Sequence, residues 1–516
     1  MAASSAGAAP EVPVVRCLKD AFAWPFHAMQ TVGRCFGEAA GGKVKAALHN
    51  SRLSMSTCFS GVDTPGVAID MLAAELARAN CDSPAGNAYG MRSLHAVDML
   101  EESRFELMML PTPPECIYKN VLDFLNPAVA KTMVAACTTL THDDICELIH
   151  VRSDVVVAEG PCLIHGRCCQ MTSATFHVAG TPCVDYSNMG ARRKANGPTN
   201  LAFLVWAGLR RLLRETFIIH ENVPQFPVSI LEQALGDLYI WHTAITTPVM
   251  HGWPVERRRR ISIGILREKL HSVAIPWKQT PAVFRRDREC DWVVFFIASP
   301  EEVQAEVEWA AGRNNIPESE DDVPAHLRSL WAKSAHTKSL NLNELENLLR
   351  YTRLAPYEAY MLNQNASFHG QHSNNGAMCC LTKGCGIVIS ARHWRWLTPF
   401  EVLLAQGFPV YPNLSDAGCS FRRSRAEYGL PERKRHTPRE QGGNAMHTNV
   451  MGVAFLWCFT QVSLRQQDEA EHPAEHPVDV HRKATASRAT ERAQPVEESI
   501  ASDGFLERSW KMRKMM

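Results

Sequence analysis

The feature that most constrains this chain is a strand–helix–strand pattern between residues 175 and 221. Thr175–Gly180 (TFHVAG) is typical of a short buried strand, Leu201–Leu213 has helical periodicity, and Phe217–His220 (FIIH) reads as a second strand. In open α/β sheets, ligands bind at the edge where the carboxyl ends of the strands meet. The residues just after the two strands are therefore the first candidates for a functional site.

A thiol and a carboxylate occupy these two positions. Cys183 follows the first strand in the segment Gly180-Thr181-Pro182-Cys183, and Glu221-Asn222-Val223 follows the second. A cysteine thiolate is a nucleophile, and a neighbouring acid can protonate the group that becomes electron-rich after attack. Taken singly, Cys183 also fits a packing cysteine and Glu221 a surface acid.

Composition limits the classes of protein to which the chain can belong. It has 516 residues, of which 46% are hydrophobic, so it can bury a large core in two or more lobes. Lys+Arg and Asp+Glu both number 54, so the formal net charge is zero and does not indicate a strongly basic nucleic-acid binder. We expect an intracellular protein without a secretion signal or membrane contact, with its 17 cysteines mostly reduced.

The alternation of strand-like and helix-like segments predicts an α/β fold, with helices on both faces of a doubly wound sheet and a smaller irregular lobe beside it. The chain divides by patterning into a partly flexible N-terminal leader (1–50), the main α/β domain (51–268), a Trp-rich second lobe (269–396), a return to the main domain (397–464) and a polar, disordered tail (465–516).

Two polar features precede the thiol. The segment Thr57–Gly66 (TCFSGVDTPG) is a glycine turn between an apolar stretch and a helix, where the backbone can approach a cofactor; ordinary turns look similar. Asp98 follows the predicted strand Leu94–Val97 and suits either ribose hydroxyls or a helix cap. Asn120–Asp123 closes a third predicted strand and offers a polar group to an adenine.

Three features follow the carboxylate. The run Arg257–Arg260 precedes an alternating strand, Ile261–Gly264, and suits phosphates and base acceptors or a solvated face. Leu397-Thr398-Pro399 begins a helix that ends at Gln406–Pro409. Gln441–Asn444 is predicted to be a turn before an apolar helix, where its amide could reach a ligand.

Taken together and in this order, the segments resemble the C5-cytosine methyltransferase family. The matching segments, spread over residues 57–450, are FSGVDTPG, GTPCVDYS, HENV, ERRRR, LTPFEVLLAQGFP and QGGNA. The long gap between the arginines and LTPF is where this family carries its target-recognition domain. The main α/β domain would then be the catalytic methyltransferase domain.

The sequence departs from the family pattern at four positions. It has Asp63 for a glycine, Val184 for glutamine, Tyr186 for phenylalanine and Glu256 for glutamine. Val255 leaves the register of the arginine motif open by one residue, and anchoring on the strand that follows favours Arg258 and Arg260.

The resemblance implies DNA (cytosine-5-)-methyltransferase activity with S-adenosylmethionine as cofactor. Cys183 would add to C6 of a flipped-out cytosine, Glu221 would hold or protonate N3, Asn222 would position the loop, and Arg258 and Arg260 would hold the base carbonyl. The residues expected to bind the cofactor are Phe59, Ser60, Gly61, Val62, Asp98, Asn120, Pro182 and Asn444.

DNA is the expected partner, and the same chemistry on RNA, such as tRNA, is the runner-up. Basic segments at Arg422–Arg425 and Arg433–Arg435 offer phosphate contacts or solvated loops. A DNA substrate in a eukaryotic cell would imply a nuclear location. A catalytically silent relative acting as a scaffold stays open, whereas the missing G-x-G-x-x-G argues against a dinucleotide-binding oxidoreductase.

Two cysteine groups have weaker metal-like spacing. Cys162-x2-His165-x2-Cys168-Cys169 is one, and Cys379, Cys380 and Cys385 form the other. Neither contains a paired Cys-x2-Cys framework, so the sequence assigns no residue to a metal.

Overall fold

The computed structural model describes residues 12–49, 53–80, 89–136, 142–152, 154–186, 199–366, 372–382, 387–411, 414 and 437–465. Apart from Arg465, these residues belong to one compact unit bounded at Met1–Leu464. Within these ranges, no helix has both the length and the apolar character that crossing a membrane requires.

A nine-stranded mixed sheet forms the centre of this unit. Its order is β6-β5-β4-β3-β2-β7-β8-β10-β9. The strands of the described chain are β1 Val14–Val15, β2 Ser54–Cys58, β3 Arg92–Val97, β4 Cys116–Tyr118, β5 Glu159–Cys162, β6 Arg167–Gln170, β7 Phe176–Ala179, β8 Phe217–Asn222, β9 Tyr239–Thr246, β10 Arg259–Leu266, β11 Leu270–Val273, β12 Asp287–Arg288, β13 Ala359–Met361, β14 Val388–Ser390, β15 Arg395–Trp396 and β16 Val462–Leu464.

The five strands β4-β3-β2-β7-β8 are parallel to their neighbours, and both flanks are antiparallel. The order runs outward from β2 to β4 on one side and continues from β7 on the other. The gap between β2 and β7 is therefore the topological switch point, where the loops after two neighbouring strands diverge and leave a crevice.

Helices cover both faces of the sheet. They are α1 Leu18–Phe22, α2 Trp24–Phe36, α3 Glu38–Leu48, α4 Thr64–Ala79, α5 Glu101–Met108, α6 Pro127–Ala136, α7 His142–Val151, α8 Asn200–Leu213, α9 Ser229–Leu235, α10 Thr280–Val283, α11 Pro300–Ala311, α12 Ala325–Trp331, α13 Ala335–Lys338, α14 Leu342–Leu354, α15 Pro399–Ala405, α16 Thr437–Asn444 and α17 Thr448–Gln461. Short 3₁₀ helices lie at Val121–Phe124, Pro248–Met250, Trp277–Gln279, Trp292–Phe295 and Glu320–Asp322.

Alternate residues of the central strands pack into two separate hydrophobic cores, one on each face of the sheet. Phe176 and Phe217 stack on one face, with α4 and α17 over them, while Ile218 packs on the other face against α8. The strands of the parallel centre are buried over most of their length, as expected when both faces are covered. The predicted α/β class with helices on both faces is confirmed.

A third core lies within residues 310–396. It is built around Leu345, Leu348, Tyr360 and Trp396, and it packs α14 against the small sheet β13-β14-β15. This cluster falls inside the segment predicted to form a second lobe. The predicted boundaries of the lobes stay a prediction.

Part of the predicted N-terminal leader is folded into the main core. Trp24 is 1% exposed and lies against Gly452 of α17, where a Cβ would come within 2.0 Å of the indole. Helices α2 and α3 both contact α17, which is buried along its whole length. The glycine is what allows α2 to approach the central helix this closely.

Two predicted local structures are wrong. Asn120 does not close a strand: β4 ends at Tyr118, and the Asn120 side chain caps a 3₁₀ helix by accepting the Leu122 N–H at 3.0 Å. Gln441–Asn444 is not a turn but the end of α16. Its glycines fit a helix here because Gly442 packs closely against Val402, where an added Cβ would lie 2.7 Å from a valine methyl group.

We predict that Gly452→Ala destabilises the fold, because the added methyl group would force Trp24 out of its place. The expected loss is about 1–3 kcal/mol of unfolding free energy, measured by urea denaturation. Gly33→Ala is the matched control, since no described residue beyond the helix backbone and the chain neighbours lies within 4 Å of its Cβ position in α2; it should be stabilising by up to about 1 kcal/mol. Equal effects would show that α2 is not packed on α17.

Candidate active site at the carboxyl edge of the sheet

The register of β7 and β8 brings the two predicted catalytic segments together. Ala179 pairs with His220, so the next residues, Gly180 and Glu221, lie side by side. A Cβ on Gly180 would sit 3.5 Å from Oε2 of Glu221, which places the carboxylate directly over the start of the thiol loop. Glu221 itself belongs to the strand, not to the loop behind it, and a strand residue holds its side chain direction more firmly than a loop residue.

Thr181 is the anchor of the loop that carries Cys183. Its hydroxyl lies 2.7 Å from Nε2 of His220. Nδ2 of Asn222 donates to the Thr181 carbonyl oxygen at 3.1 Å and to its hydroxyl at 3.0 Å. The buried Asn222 amide is thus placed to position the loop rather than to touch a substrate.

The segment after Cys183 is tied to α8. The Asp185 carboxylate, 1% exposed, accepts hydrogen bonds from the Thr199 hydroxyl and backbone N–H, and the Tyr186 hydroxyl donates to Asn200 at 3.2 Å. The loop is therefore fixed on both sides of Cys183. Thr181, before the thiol, is bonded to strand β8, and Asp185 and Tyr186, after it, are bonded to the start of helix α8.

The arginine beside the carboxylate is Arg259. Its Nε lies 2.9 Å from Oε1 of Glu221, and the two groups form an ion pair without an aligned hydrogen bond. The Arg259 side chain is 17% exposed and the Glu221 side chain 11%. Ile261 pairs with Glu221 across the sheet, so strand alternation puts Arg257, Arg259 and Ile261 on the carboxylate's face.

The sequence favoured Arg258 and Arg260 as the arginines that hold the base carbonyl, and that role stays a prediction, but neither side chain is paired with Glu221. Arg258 is exposed, and Arg260 turns away to donate from Nε and Nη2 to the Pro224 carbonyl oxygen at 3.2 and 2.6 Å. Counting the register from the strand cannot show which face meets Glu221. The pairing of β10 with β8 decides it.

Arg257 is buried and connects distant segments. Its Nη1 donates to the carbonyl oxygens of Leu381 at 2.8 Å and Gly443 at 3.2 Å. Burial, followed by the neighbouring Arg259 charge, lowers its pKa to about 10. The guanidinium holds the end of α16 against the site. A further unpredicted neighbour is Cys380, whose sulfur lies 3.8 and 3.9 Å from the Nη atoms of Arg259.

Cys183 is half-buried, and its surroundings act on the thiol in opposite directions. Burial raises its pKa above the ordinary value; the Arg259 charge lowers it, Glu221 raises it and Arg257 lowers it. Glu221, Arg257 and Arg259 therefore all act electrostatically on the thiol.

A small cavity lies beside the ion pair. It measures about 10 Å³, room for about one water molecule, and is lined by Glu221, Arg257, Arg259, Ile261, Met446, His447, Val450 and Met451. Met446 closes it: its Cε would be 3.1 Å from a Cβ on Gly180. Met446 therefore lies over Gly180 at the cavity beside Glu221. A larger cavity of about 210 Å³, between α7 and α8, holds none of these groups.

The glycine turn follows β2 at the switch point. Phe59, Gly61 and Asp63 all have positive φ, at 57°, 55° and 55°, so the backbone curls tightly. The Ser60 side chain bridges to Val97 of β3, donating to its carbonyl oxygen and accepting from its N–H, both at 3.1 Å. Among the residues that the structure describes, and leaving out its two chain neighbours, none has an atom within 4 Å of the Cβ position of Gly61, so the backbone there is open to close approach.

Asp98 connects the turn to the next strand. One carboxylate oxygen accepts the Gly61 N–H at 2.8 Å and the other accepts the Leu100 N–H at 2.8 Å. Asp98 therefore stabilises the turn, and its contact with ribose hydroxyls stays a prediction. The alternative role as a helix N-cap is not seen, because α5 begins at Glu101 and its N-cap is Leu100.

Asp63 shows how the departure from glycine is accommodated. The left-handed conformation that favours glycine is also one that aspartate adopts. The side chain caps α4 by accepting the Gly66 N–H at 3.3 Å, and burial raises its pKa to about 7.

The other predicted cofactor residues lie near the same edge. Val62 is buried under the turn, Asn120 is half-buried after β4, and Pro182 is half-buried beside Cys183. Asn444 is exposed at the end of α16, and it is Met446 that reaches the turn, with its carbonyl oxygen 3.5 Å from the Thr64 hydroxyl. The basic segments Arg422–Arg425 and Arg433–Arg435, and Cys385, lie outside the described residues.

Comparisons with known proteins give structural but not sequence similarity. No protein-family model matches the chain, and a search of curated proteins finds no match. A solved structure described as a DNA modification methyltransferase encoded within an E. coli prophage is similar over 79% of this chain and 99% of its own, with 14% identity and a TM-score of 0.40. The S. pombe Dnmt2 methyltransferase matches over 78% and 98%, with 13% identity and a TM-score of 0.39. The Entamoeba histolytica methyltransferase EhMeth matches over 79% and 98%, with 13% identity and a TM-score of 0.38.

We predict opposite pH shifts for thiol reactivity in two variants. Glu221→Gln removes a negative charge, so the Cys183 pKa falls and alkylation begins at lower pH; Arg259→Gln removes a positive charge, so the pKa rises. The rate of iodoacetamide labelling of the Cys183 peptide, followed by mass spectrometry against pH, measures both. Arg258→Gln is the control, and superimposable profiles for all three variants would contradict the geometry.

Proposed function

We propose that this chain is an S-adenosylmethionine-dependent methyltransferase that modifies C5 of cytosine in nucleic acid, with DNA as the first candidate substrate. The observation that carries the proposal is the meeting of Cys183, Glu221 and Arg259 at the ends of neighbouring strands. The six ordered sequence segments support the same chemistry.

The turn after β2 fits the cofactor. It offers an open backbone at Gly61, a helix N-terminus behind it and a carboxylate at Asp98 on the next strand end. Phe59, Asp98 and Asn120 would hold the nucleoside part, and the segment from Asn444 to Met446 would close over the methionine end. S-adenosylmethionine supplies an electrophilic methyl group when bound.

Cytosine C5 is too weak a nucleophile to accept that methyl group unaided. The Cys183 thiolate adds to C6, and the electron pair of the C5–C6 double bond moves toward C5. Glu221 delivers a proton to N3, so that negative charge does not accumulate on the ring. After the methyl group is on C5, loss of the C5 proton to solvent restores the C5–C6 double bond and expels the thiolate, and N3 returns its proton to Glu221.

Arg259 is the arginine best placed to act on the base. It already contacts Glu221 and faces the cavity, so its guanidinium can donate to the base carbonyl while orienting the carboxylate. Arg257 and Asn222 hold α16 and the thiol loop in place and act through these neighbours. Arg260 fixes the backbone just after Val223 through Pro224.

Entry of the base requires two movements. C6 is hidden within a stacked duplex, so the nucleotide must flip out, at a cost of a few kcal/mol. The cavity must also open, since Met446 fills the space above Gly180.

The test is methyl incorporation from labelled S-adenosylmethionine into DNA and tRNA in parallel. We expect incorporation into DNA by the wild-type chain and background with Cys183→Ala, because the variant lacks the sulfur that adds to C6. Incorporation into tRNA alone would overturn the DNA assignment. No incorporation into either by folded wild-type protein would favour a silent scaffold.

The same assay tests the arginine assignment with a matched pair. Arg259→Ala should lower kcat/KM about tenfold or more, the effect of losing a charged hydrogen bond to the base. Arg258→Ala, one residue away and exposed, should stay near wild type. The reverse order of effects would restore the register inferred from the sequence.

A further inference from the structure

Four potential metal ligands converge at the far edge of the central sheet, away from the methyl-transfer residues. They are Cys116, Cys162, His165 and Cys169, and their sulfur and nitrogen atoms all lie within 4.8 Å of one another. Cys116 begins β4, Cys162 ends β5, Cys169 lies in β6, and His165 is in the turn between β5 and β6.

The distances match those around a tetrahedral metal. Nδ1 of His165 lies 3.6 Å from Sγ of Cys116, 3.4 Å from Sγ of Cys162 and 3.5 Å from Sγ of Cys169. Ligands at the usual Zn–S and Zn–N lengths, set at tetrahedral angles, would be separated by about 3.5–3.6 Å. Three independent separations agree with this value.

Hydrogen bonding does not explain the arrangement. Nδ1 of a neutral imidazole has one lone pair or one proton, so it can serve one thiol well and not three at equal distance. Three thiols and an imidazole around one point make sense when a cation occupies that point.

The turn around Cys162 is shaped to present its sulfur. Gly166 has a φ of 63° and its N–H donates to the Cys162 carbonyl oxygen at 3.0 Å, which closes the turn. The closed turn holds the His165 ring beside the Cys162 sulfur, with Nδ1 3.4 Å from Sγ.

We propose that Cys116, Cys162, His165 and Cys169 bind a structural zinc ion. Three thiolates and one imidazole complete a tetrahedral shell and leave no position for a substrate, so the site is structural rather than catalytic. The ion would fasten the β5–β6 hairpin to β4, the strand that ends just before Asn120. This inference does not depend on the proposed methyl transfer.

The sequence identified only part of this set. The spacing Cys162-x2-His165 pointed to the turn, but Cys116 lies 46 residues earlier and joins through the pairing of β4 with β5. Cys168 is exposed and points elsewhere, because alternate residues of β6 face opposite sides, so Cys169 takes its place in the set.

The test is the metal content of the full-length chain purified without chelator, measured by inductively coupled plasma mass spectrometry. We expect one zinc per chain in wild type, less than a tenth of that in Cys162→Ser and Cys169→Ser, and one zinc in Cys168→Ser, the matched control. Metal-free wild type, a disulfide within the set, or equal zinc in Cys169→Ser and Cys168→Ser would overturn the proposal.

A second measurement on wild type alone covers variants that fail to fold. X-ray absorption at the zinc edge should show three sulfur ligands at about 2.3 Å and one nitrogen at about 2.0 Å. Removal of the ion by a chelator should lower the melting temperature. A shell of nitrogen and oxygen alone would place the metal elsewhere and overturn the proposal.

Discussion

The structure of the candidate active site depends on the parallel pairing of β7 with β8. One register, Ala179 opposite His220, places the thiol loop next to Glu221 and lets Asn222 reach Thr181. A shift by one residue would turn Glu221 to the other face, away from Arg259, because side chains alternate along a strand. Buried Phe176 and Phe217, stacked 4.6 Å apart at the other end of the pair, fix that register through the core.

The second determinant is strand β10, which lies between β8 and β9 in the sheet and is antiparallel to both. Its antiparallel pairing sets Ile261 against Glu221 and so delivers Arg259, two residues earlier, to the same face. Four consecutive arginines then have four different environments: Arg257 buried, Arg258 exposed, Arg259 paired with the carboxylate and Arg260 holding Pro224. Position in the sheet, not residue type, separates their roles.

Structure that depends on neighbouring residues in the chain could be predicted from the sequence. Structure that depends on which strands and helices pack together could not. The strand, helix and strand around Cys183 and Glu221 follow from periodicity and from Pro182 and Gly180. The face of the arginine strand, the helical state of Gln441–Asn444 and the arrival of Cys116 at the hairpin cysteines depend on contacts between segments far apart in the chain. Segments rich in Gly and Asn are typical of turns, and the sequence does not show that Gly442 packs closely against Val402 in a helix.

The covalent step at Cys183 is the central claim, and trapping it gives the most direct measurement. DNA containing 5-fluorocytosine, incubated with the protein and S-adenosylmethionine, should form a stable adduct, because fluorine at C5 cannot leave as a proton does. The account predicts that peptide mapping finds the modified base on Cys183 and that Cys183→Ala forms none. An adduct on another cysteine, or methylation of ordinary DNA without any adduct on the fluorinated one, would contradict it.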